Sequence, residues 1–558
     1  MGKPGKGYEA YIGFGEESVY GTKVLATKFL ELISDGIATA DDRIHSESLN
    51  GVNTDEIEVA NGAIKPSGDF AFECPQEGAE MLFKHALGRD EITIDATNNQ
   101  FDFNIGAGEL TAAIAVGVYP IGVIQTDAGS FCEALYNAII IAETAGTYTV
   151  TFDVITRKFT ITRSAGTLEL MWESGTNGSS GLGLNPSAIM GFDDVADDTG
   201  ALTYTGDNAY VMPDSTEQAS FVVNSENEKI DFNIGAGELN ATVANGTYAM
   251  GLNHLDSGTL CEAIYNAIVA AEAAGTYTVL FNNSTKKITI TRSAGTFELM
   301  WKTGTNGSDG NDTHIGTLIG FSDSADDTGA VTYTGDSAVT LVYQHVIKIK
   351  DELPTSLSLE INRGYKAFYP TGMKIDKFEM SAELNSFLKV TCGVIGREVL
   401  FCSKTTETLP SVAPFNYTHG AFTYNNLSTN VKNISFSLNN NLNKDRFFIG
   451  SRYTSEPTRT GKLEVTGKFT VEFDSTDLYD DFRAATSRAL VLLFTGGTIS
   501  GKTQSYTLQI DMPAIKLTGG VPMATEAGII LYDCPFKAYK SGSDKEFKIT
   551  IVNTVISI

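Results

Sequence analysis

Two tryptophans, six histidines, six cysteines and a shortage of basic side chains mark this chain of 558 residues, and each scarcity removes a class of function. The cysteines (Cys74, Cys132, Cys261, Cys392, Cys402 and Cys534) are scattered and form no CxxC pair, so free thiols are expected rather than a disulfide framework or a zinc site. The histidines (His45, His85, His254, His314, His345 and His419) do not cluster, which argues against histidine catalysis or metal binding. With 40 basic against 68 acidic residues, a net charge of −28, the composition does not provide for gripping nucleic-acid phosphates. No apolar run approaches the roughly 20 residues of a membrane span. The opening MGKPGKGYEAYIGFGEE contains no apolar stretch of signal-peptide length. There is no P-loop, and the glycines of NIGAGEL do not stand between a strand and a helix as a dinucleotide fingerprint requires. No catalytic, cofactor-binding or metal-ligating residue is assigned, and an enzyme is not expected.

What the chain does contain is a repeat. DFNIGAGEL begins at Asp102 and again at Asp231, and CEALYNAI from Cys132 returns as CEAIYNAI from Cys261. ITRSAGT starts at Ile161 and Ile290. GFDDVADDTG from Gly191 is echoed by GFSDSADDTG from Gly320, and TYTGD closes each copy at Thr203 and Thr332. Every pair is 129 residues apart. Two copies are too few for a solenoid, which needs about three, so each is read as a small α+β module with its own core. His254 and His314 have no counterpart in the first copy.

Within a module the hydrophobic period changes twice. Phe131, Ala134, Leu135, Ala138, Ile139 and Ala142 follow helical spacing, and Ser130 with Glu133, repeated as Thr259 with Glu262, has the spacing of a capping box. Gly146 and Gly275 are expected to end the helices in a left-handed residue. Tyr148, Val150 and Phe152 then alternate with threonines into a hairpin, its second-copy turn at Asn282, Asn283 and Ser284. Trp172 and Trp301, one per module, are expected to anchor the cores. Asp193, Asp194, Asp197 and Asp198, like Asp323, Asp326 and Asp327, could offer oxygens to calcium. Their spacing does not match an EF-hand loop, so solvated acidic turns are expected.

Outside the modules the chain reads as β structure. Hydrophobic content is 42% and aromatic content 10%, and Thr, Val, Ile, Phe and Tyr are common. GFGEESVYGT (Gly13 to Thr22), FKHALG at Phe83, LPTSLSLEI at Leu353, LNNNLNKDRFFIGS at Leu438, TGKFTVEF at Thr466 and YTLQIDMPAIKLTGG at Tyr506 together resemble the tail tube proteins of tailed bacteriophages. The departure from that pattern is the pair of modules, inserted between FKHALG and the segment with His345. The resemblance implies a mainly β protein of barrel or sandwich domains that polymerises as stacked rings into a virion tail tube, assembled in the host cytoplasm. Its partners would be copies of itself and other tail proteins (tail tip or baseplate, tail terminator, a sheath in contractile tails). DNA would pass through the lumen unbound, an acidic channel letting phosphate slide. No membrane is involved.

A fainter echo joins SGDFAFE at Ser67 to TGKFTVE at Thr466, each followed by a short helix (79–87 and 478–485). Two tube-type domains in one chain are therefore expected, with three subunits to a ring favoured over six. The boundaries read as 1–95 for the first part of a tube domain, 96–215 and 216–341 for the modules, 342–400 for the continuation, and 401–558 for a second tube-like domain. The modules are expected to project outward from an exposed loop. Ring stacking is assigned to the N-terminal arm (residues 1 to about 20) and the loop from Pro410 to Tyr424, as segments that order on assembly. The alternative is a surface adhesin or glycan-binding decoration protein, for which a shallow module patch with an exposed aromatic would be needed.

Overall fold

The computed structural model describes residues 6–17, 19–45, 59–88, 91–122, 124–127, 129–153, 158–207, 210, 215–282, 285–524, 527–542 and 545–555. The expected turn residues Asn283 and Ser284, and the first five residues of the expected N-terminal arm, lie outside them.

The body of the molecule is two β sandwiches of the same design. In the N-terminal unit the back layer runs Lys28–Glu31, Tyr11–Glu17, Ser356–Asn362, Ala367–Thr371, Glu398–Cys402. Its front layer is Ala38–His45, Val59–Glu73, Lys389–Ile395, Lys374–Glu383. The C-terminal unit repeats this order. Its back layer is Leu427–Ser428, Gly420–Tyr424, Arg488–Thr498, the first half of Ser505–Leu517, and Lys548–Asn553. Its front layer is Val431–Asn439, Glu464–Glu472, Leu531–Ala538, and the end of Ser505–Leu517. The Ser67 and Thr466 echo falls on equivalent strands, and Phe70 and Phe469 each stand opposite a cysteine, Cys392 and Cys534.

Alternation explains the layers. Phe70, Phe72, Phe378, Phe436, Phe469 and Phe536 point from the front layer into buried contact with residues such as Phe14, Leu359, Leu492 and Ile510 of the back layer. Each such side chain contributes about 1.5–3 kcal/mol of burial. The front layers then join edge to edge: Lys377–Glu383 pairs antiparallel with Asn433–Asn439. The result is one run of eight strands built from two equivalent halves.

Each module holds a helix, Phe131–Ala142 or Leu260–Ala271, packed on a hairpin, Tyr148–Asp153 with Lys158–Arg163 or Tyr277–Asn282 with Lys287–Arg292. The caps are as expected, with Ser130 accepting from Glu133 N at 3.1 Å and Thr259 from Glu262 N at 3.4 Å. The reciprocal bond is displaced by one residue, because each Glu reaches Gly129 N or Gly258 N. The glycine expectation is corrected. The helices end at Ala142 and Ala271 in extended Glu143 and Glu272. Gly146 is instead a point of close approach, where a Cβ would stand 1.8 Å from the Glu143 carboxylate. Each module's first strand, Glu91–Ile94 or Phe221–Val223, pairs with Gly117–Pro120 or Gly246–Tyr248. Between the modules the chain returns to the body: Ser215–Glu217 pairs with Tyr343–His345, which extends the C-terminal back layer.

The described parts of the segments expected to order on assembly are already built in. Tyr11–Glu17 is a buried strand between two others, because Tyr11, Ile12 and Phe14 supply core contacts. Gly420–Tyr424 pairs with Leu490–Phe494, and Phe415 is buried.

Candidate functional site

The front face of the eight-strand run is the candidate site. It is hollowed between Glu379, Lys389, Ser435, Thr466 and Lys468, with a volume of about 430 Å³. Register puts Asp69, Glu73, Glu379, Glu383, Glu464, Glu472 and Asp533 on this face with Lys377, Lys389, Lys468, Lys516 and Lys537. Several are paired: Lys377 with Glu379 at 2.7 Å, Lys468 with Asp533 at 3.1 Å, and Lys537 with Glu464. Between the charges stand Thr391, Ser381, Ser435, Ser437 and Thr466, and Tyr539, an exposed ring in phase with them just past Leu531–Ala538, lies under Lys516. Such a surface has neither the basic stripe that holds phosphate nor a row of rings on which successive bases stack.

The acidity of the chain lies elsewhere. Residues 91–342 contain 31 of the 68 acidic residues and 8 of the 40 basic ones, leaving 37 against 32 for the rest. The front face itself carries nearly balanced, partly paired charge. The negative field belongs to the modules.

Inside the modules the carboxylates have structural partners. Trp172 Nε1 donates to Asp198 at 3.1 Å, and Trp301 Nε1 to Asp327 at the same distance. Asp197 accepts from Glu173 N, Ser174 N and Ser174 Oγ. The acidic turns are therefore half-buried acceptors rather than solvated loops, and burial raises the pKa values of Asp193, Asp194, Asp198 and Asp327. Among the described residues no group of three or more His, Cys, Asp or Glu is placed to hold a metal ion. Trp172 and Trp301 are fully buried, as expected of core anchors. Five cysteines are buried and Cys402 is half-buried, all as free thiols. Burial pushes Cys132 and Cys534 up to about 12, which leaves them unreactive.

Two helices flank the front layer behind its face. Glu80–Leu87 is buried except for Met81. The C-terminal unit covers it: Asn553 Nδ2 donates to Glu80 at 2.5 Å, Asn440 Nδ2 to Ala86 O at 2.9 Å, and Thr554 Oγ1 to Glu77 at 2.6 Å. Asp477–Ala484, its equivalent, has only Asp481 buried, tied to Arg488 at 2.9 Å. Beside it lies an open groove of about 850 Å³ lined by Leu384, Leu427, Lys432, Asp477 and Asp481. The sequence reading located both helices and missed this difference in cover, which arises from residues more than 300 positions away.

The second module is fastened to the body at Ser215–Glu217. Gln504 Nε2 donates to Ala219 O at 2.6 Å, and Lys502 Nζ sits 3.3 Å from the centre of the Phe221 ring. Burial lowers Lys502 and Lys286 to about 8, against the opposing pull of Glu217. Among the described residues no helix is long and apolar enough to cross a membrane.

A search of curated proteins finds no match for the chain. The family model for the phage tail tube protein matches residues 7–538, which takes in the N-terminal sandwich, the inserted modules and all of the C-terminal sandwich but its Lys548–Asn553 strand. With a mainly β body and that match over nearly its whole length, the chain belongs to the phage tail tube protein family, structural proteins of the virion tail.

Proposed function

We propose that the protein polymerises as stacked rings into the tail tube, with the front face of the eight-strand run turned to the lumen as the conduit for genome ejection. The observation that carries this reading is the edge-to-edge union of two equivalent half-sheets, with Ala38–His45 as the outer strand at one end and, at the other, the end of Ser505–Leu517, whose first half continues into the back layer. A sheet that has joined one half to the next can join the next copy in the same way. Three copies would bring six equivalent halves to one ring, which favours a trimeric ring over a hexameric one. The paired Lys and Glu of the face and its Ser and Thr residues let a polyanion pass without adhering.

The division into a split N-terminal tube domain, two modules and a C-terminal tube domain is part of this proposal. The modules join the body through the back layer, at Tyr343–His345, so they project away from the lumen. Their concentrated negative charge keeps neighbouring tubes apart. A glycan-binding role draws no support from exposed rings: among the described residues, the exposed large aromatic side chains (Tyr8, Tyr365, Phe387, Phe401, Tyr417, Phe448 and Tyr539) lie outside the modules. Tail tip or baseplate, terminator and sheath proteins are the expected partners at the ends and outside of the tube. The test is electron microscopy of the purified full chain, with and without a tail-tip extract as initiator. Hollow tubes with external knobs are expected, and isolated elongated monomers under both conditions would overturn the reading.

A further inference from the structure

We infer that residues 518–524 fold onto residues 34–40 of a neighbouring copy as an antiparallel strand, in a register the chain itself specifies. This rests on the ring reading above and names the two edges that make the ring.

The template is internal. Lys377–Glu383 pairs with Asn433–Asn439 at the union of the two halves. Two equivalences transfer that pairing to the open edges. On one side, Phe378 stands opposite Cys392, while Thr518 N donates to Pro535 O at 2.8 Å, one register step before Cys534. Since Cys392 and Cys534 are equivalent, residues 518–524 take the place of 377–383. On the other side, Ser437 faces Thr466 as Ala38 faces Ser67, so residues 34–40 take the place of 433–439. The transferred register sets Thr518 against Ala40, Val521 against Ile37 and Ala524 against Ser34.

Hydrogen-bond direction checks this register independently. Along an antiparallel strand the N–H groups alternate between the two sides. Thr518 N points inward to Pro535 O, and Gly36 N points inward to Asp69 O at 2.8 Å. Extended from there, residues 519, 521 and 523 turn outward on one edge and 35, 37 and 39 on the other. The register places each of these opposite another. A slip of one residue would set outward donors against inward ones. Pro522, which has no N–H, falls at an inward position, so the outward row is complete.

The segment is poised to dock. Val521 and Met523 are 58% and 67% exposed, whereas Met380, the equivalent of Val521, is 2% exposed. Gly520 holds φ +101, which takes residues 518–524 out of strand geometry in the single chain. Ile37 N is meanwhile held by the Asp35 carboxylate at 2.9 Å, a bond that a strand carbonyl replaces.

The test is a disulfide. Thr518 and Ala40 form a non-hydrogen-bonded pair in this register, with Cα atoms about 4.5 Å apart, within disulfide reach. The full chain carrying Thr518→Cys and Ala40→Cys, oxidised after tube assembly, should give a ladder of covalent oligomers that stops at the ring's copy number. Neither single variant should do so. Tubes that assemble and stay uncrosslinked would overturn the register while leaving the ring reading standing. A wild-type chain that forms neither rings nor tubes would overturn both. In parallel, Val521→Asp with Met523→Asp should keep the wild-type thermal melt of the monomer and abolish tubes; tubes in normal yield would contradict the pairing.

Discussion

The two helices Glu80–Leu87 and Asp477–Ala484 follow equivalent strands in equivalent sandwiches, yet one is enclosed and the other lies beside an open groove. Both carry a central phenylalanine, Phe83 and Phe482, packed with the sandwich, but the remaining residues match the difference in cover: the first helix adds Met81, Leu82, Ala86 and Leu87, the second Asp477, Asp480, Asp481 and Arg483. The difference is what lies next along the sheet. The first helix has the C-terminal unit as its neighbour, supplying Asn440, Asn553 and Thr554. The second has no further unit within its own chain. An internal duplication thus displays in one molecule the covered and the uncovered version of the same surface, and in the proposed ring a second copy would cover the second.

That comparison can be broken by substitution. Phe83 meets Phe378 edge to face at 5.6 Å in a closed core, so Phe83→Ala should cost about 3–5 kcal/mol, read as a lowered denaturant midpoint of the unassembled protein. Phe482→Ala, at a half-buried site, should cost about 1 kcal/mol in the same measurement and reduce tube yield more than stability. Equal losses at the two sites would mean that the helices are equally covered before assembly.

The two modules allow a second comparison, between near copies. Asp198→Ala and Asp327→Ala each leave a buried indole N–H without its acceptor, and each should destabilise its module by about 1–3 kcal/mol, followed by the fluorescence of the tryptophan concerned. Smaller effects are expected at the helix caps. Ser130→Ala should cost about 1 kcal/mol, and Thr259→Ala less, since its bond to Glu262 N is longer, both read from thermal melts.

The smallest effect is one of pH. Burial raises the pKa of Glu80, so the folded chain holds that proton to higher pH than the unfolded chain does. The contribution is stabilising below the ordinary carboxylate range and is lost as pH rises through the raised value. Glu80→Gln keeps an oxygen for Gly78 N and removes the charge. It should be more stable than the parent at pH 8, with the difference shrinking toward pH 5 in denaturant titrations. A difference that grew as pH fell would contradict the assignment.

Much of this was legible in the sequence because the information is local. The module helix, its cap and its hairpin follow from spacing within some thirty residues, and the second copy repeats them. The faint echo of Ser67 and Thr466 was legible because its glycines are constrained. A Cβ at Gly467 would stand 2.4 Å from the Phe536 ring, and one at Gly68 would stand 2.3 Å from Gly36 O. What was hidden is non-local. The three residues Ser215–Glu217 return the chain to the body through a partner more than a hundred positions away, with no hydrophobic pattern to announce it. Tyr11–Glu17 reads as an arm and is a core strand, because its partners come from Ser356–Asn362. The total charge of −28 likewise does not say which face carries it, and 31 of the 68 acidic residues fall in residues 91–342.

The central claim is that the chain is two tube units joined as successive copies are joined. Cryo-electron microscopy of assembled tubes tests it most directly, by counting chains per ring. The account requires three chains around one lumen, with the 374–383 to 431–439 junction repeated between chains and the modules outside. Six chains around the lumen, or a junction between chains unlike the one within, would contradict it.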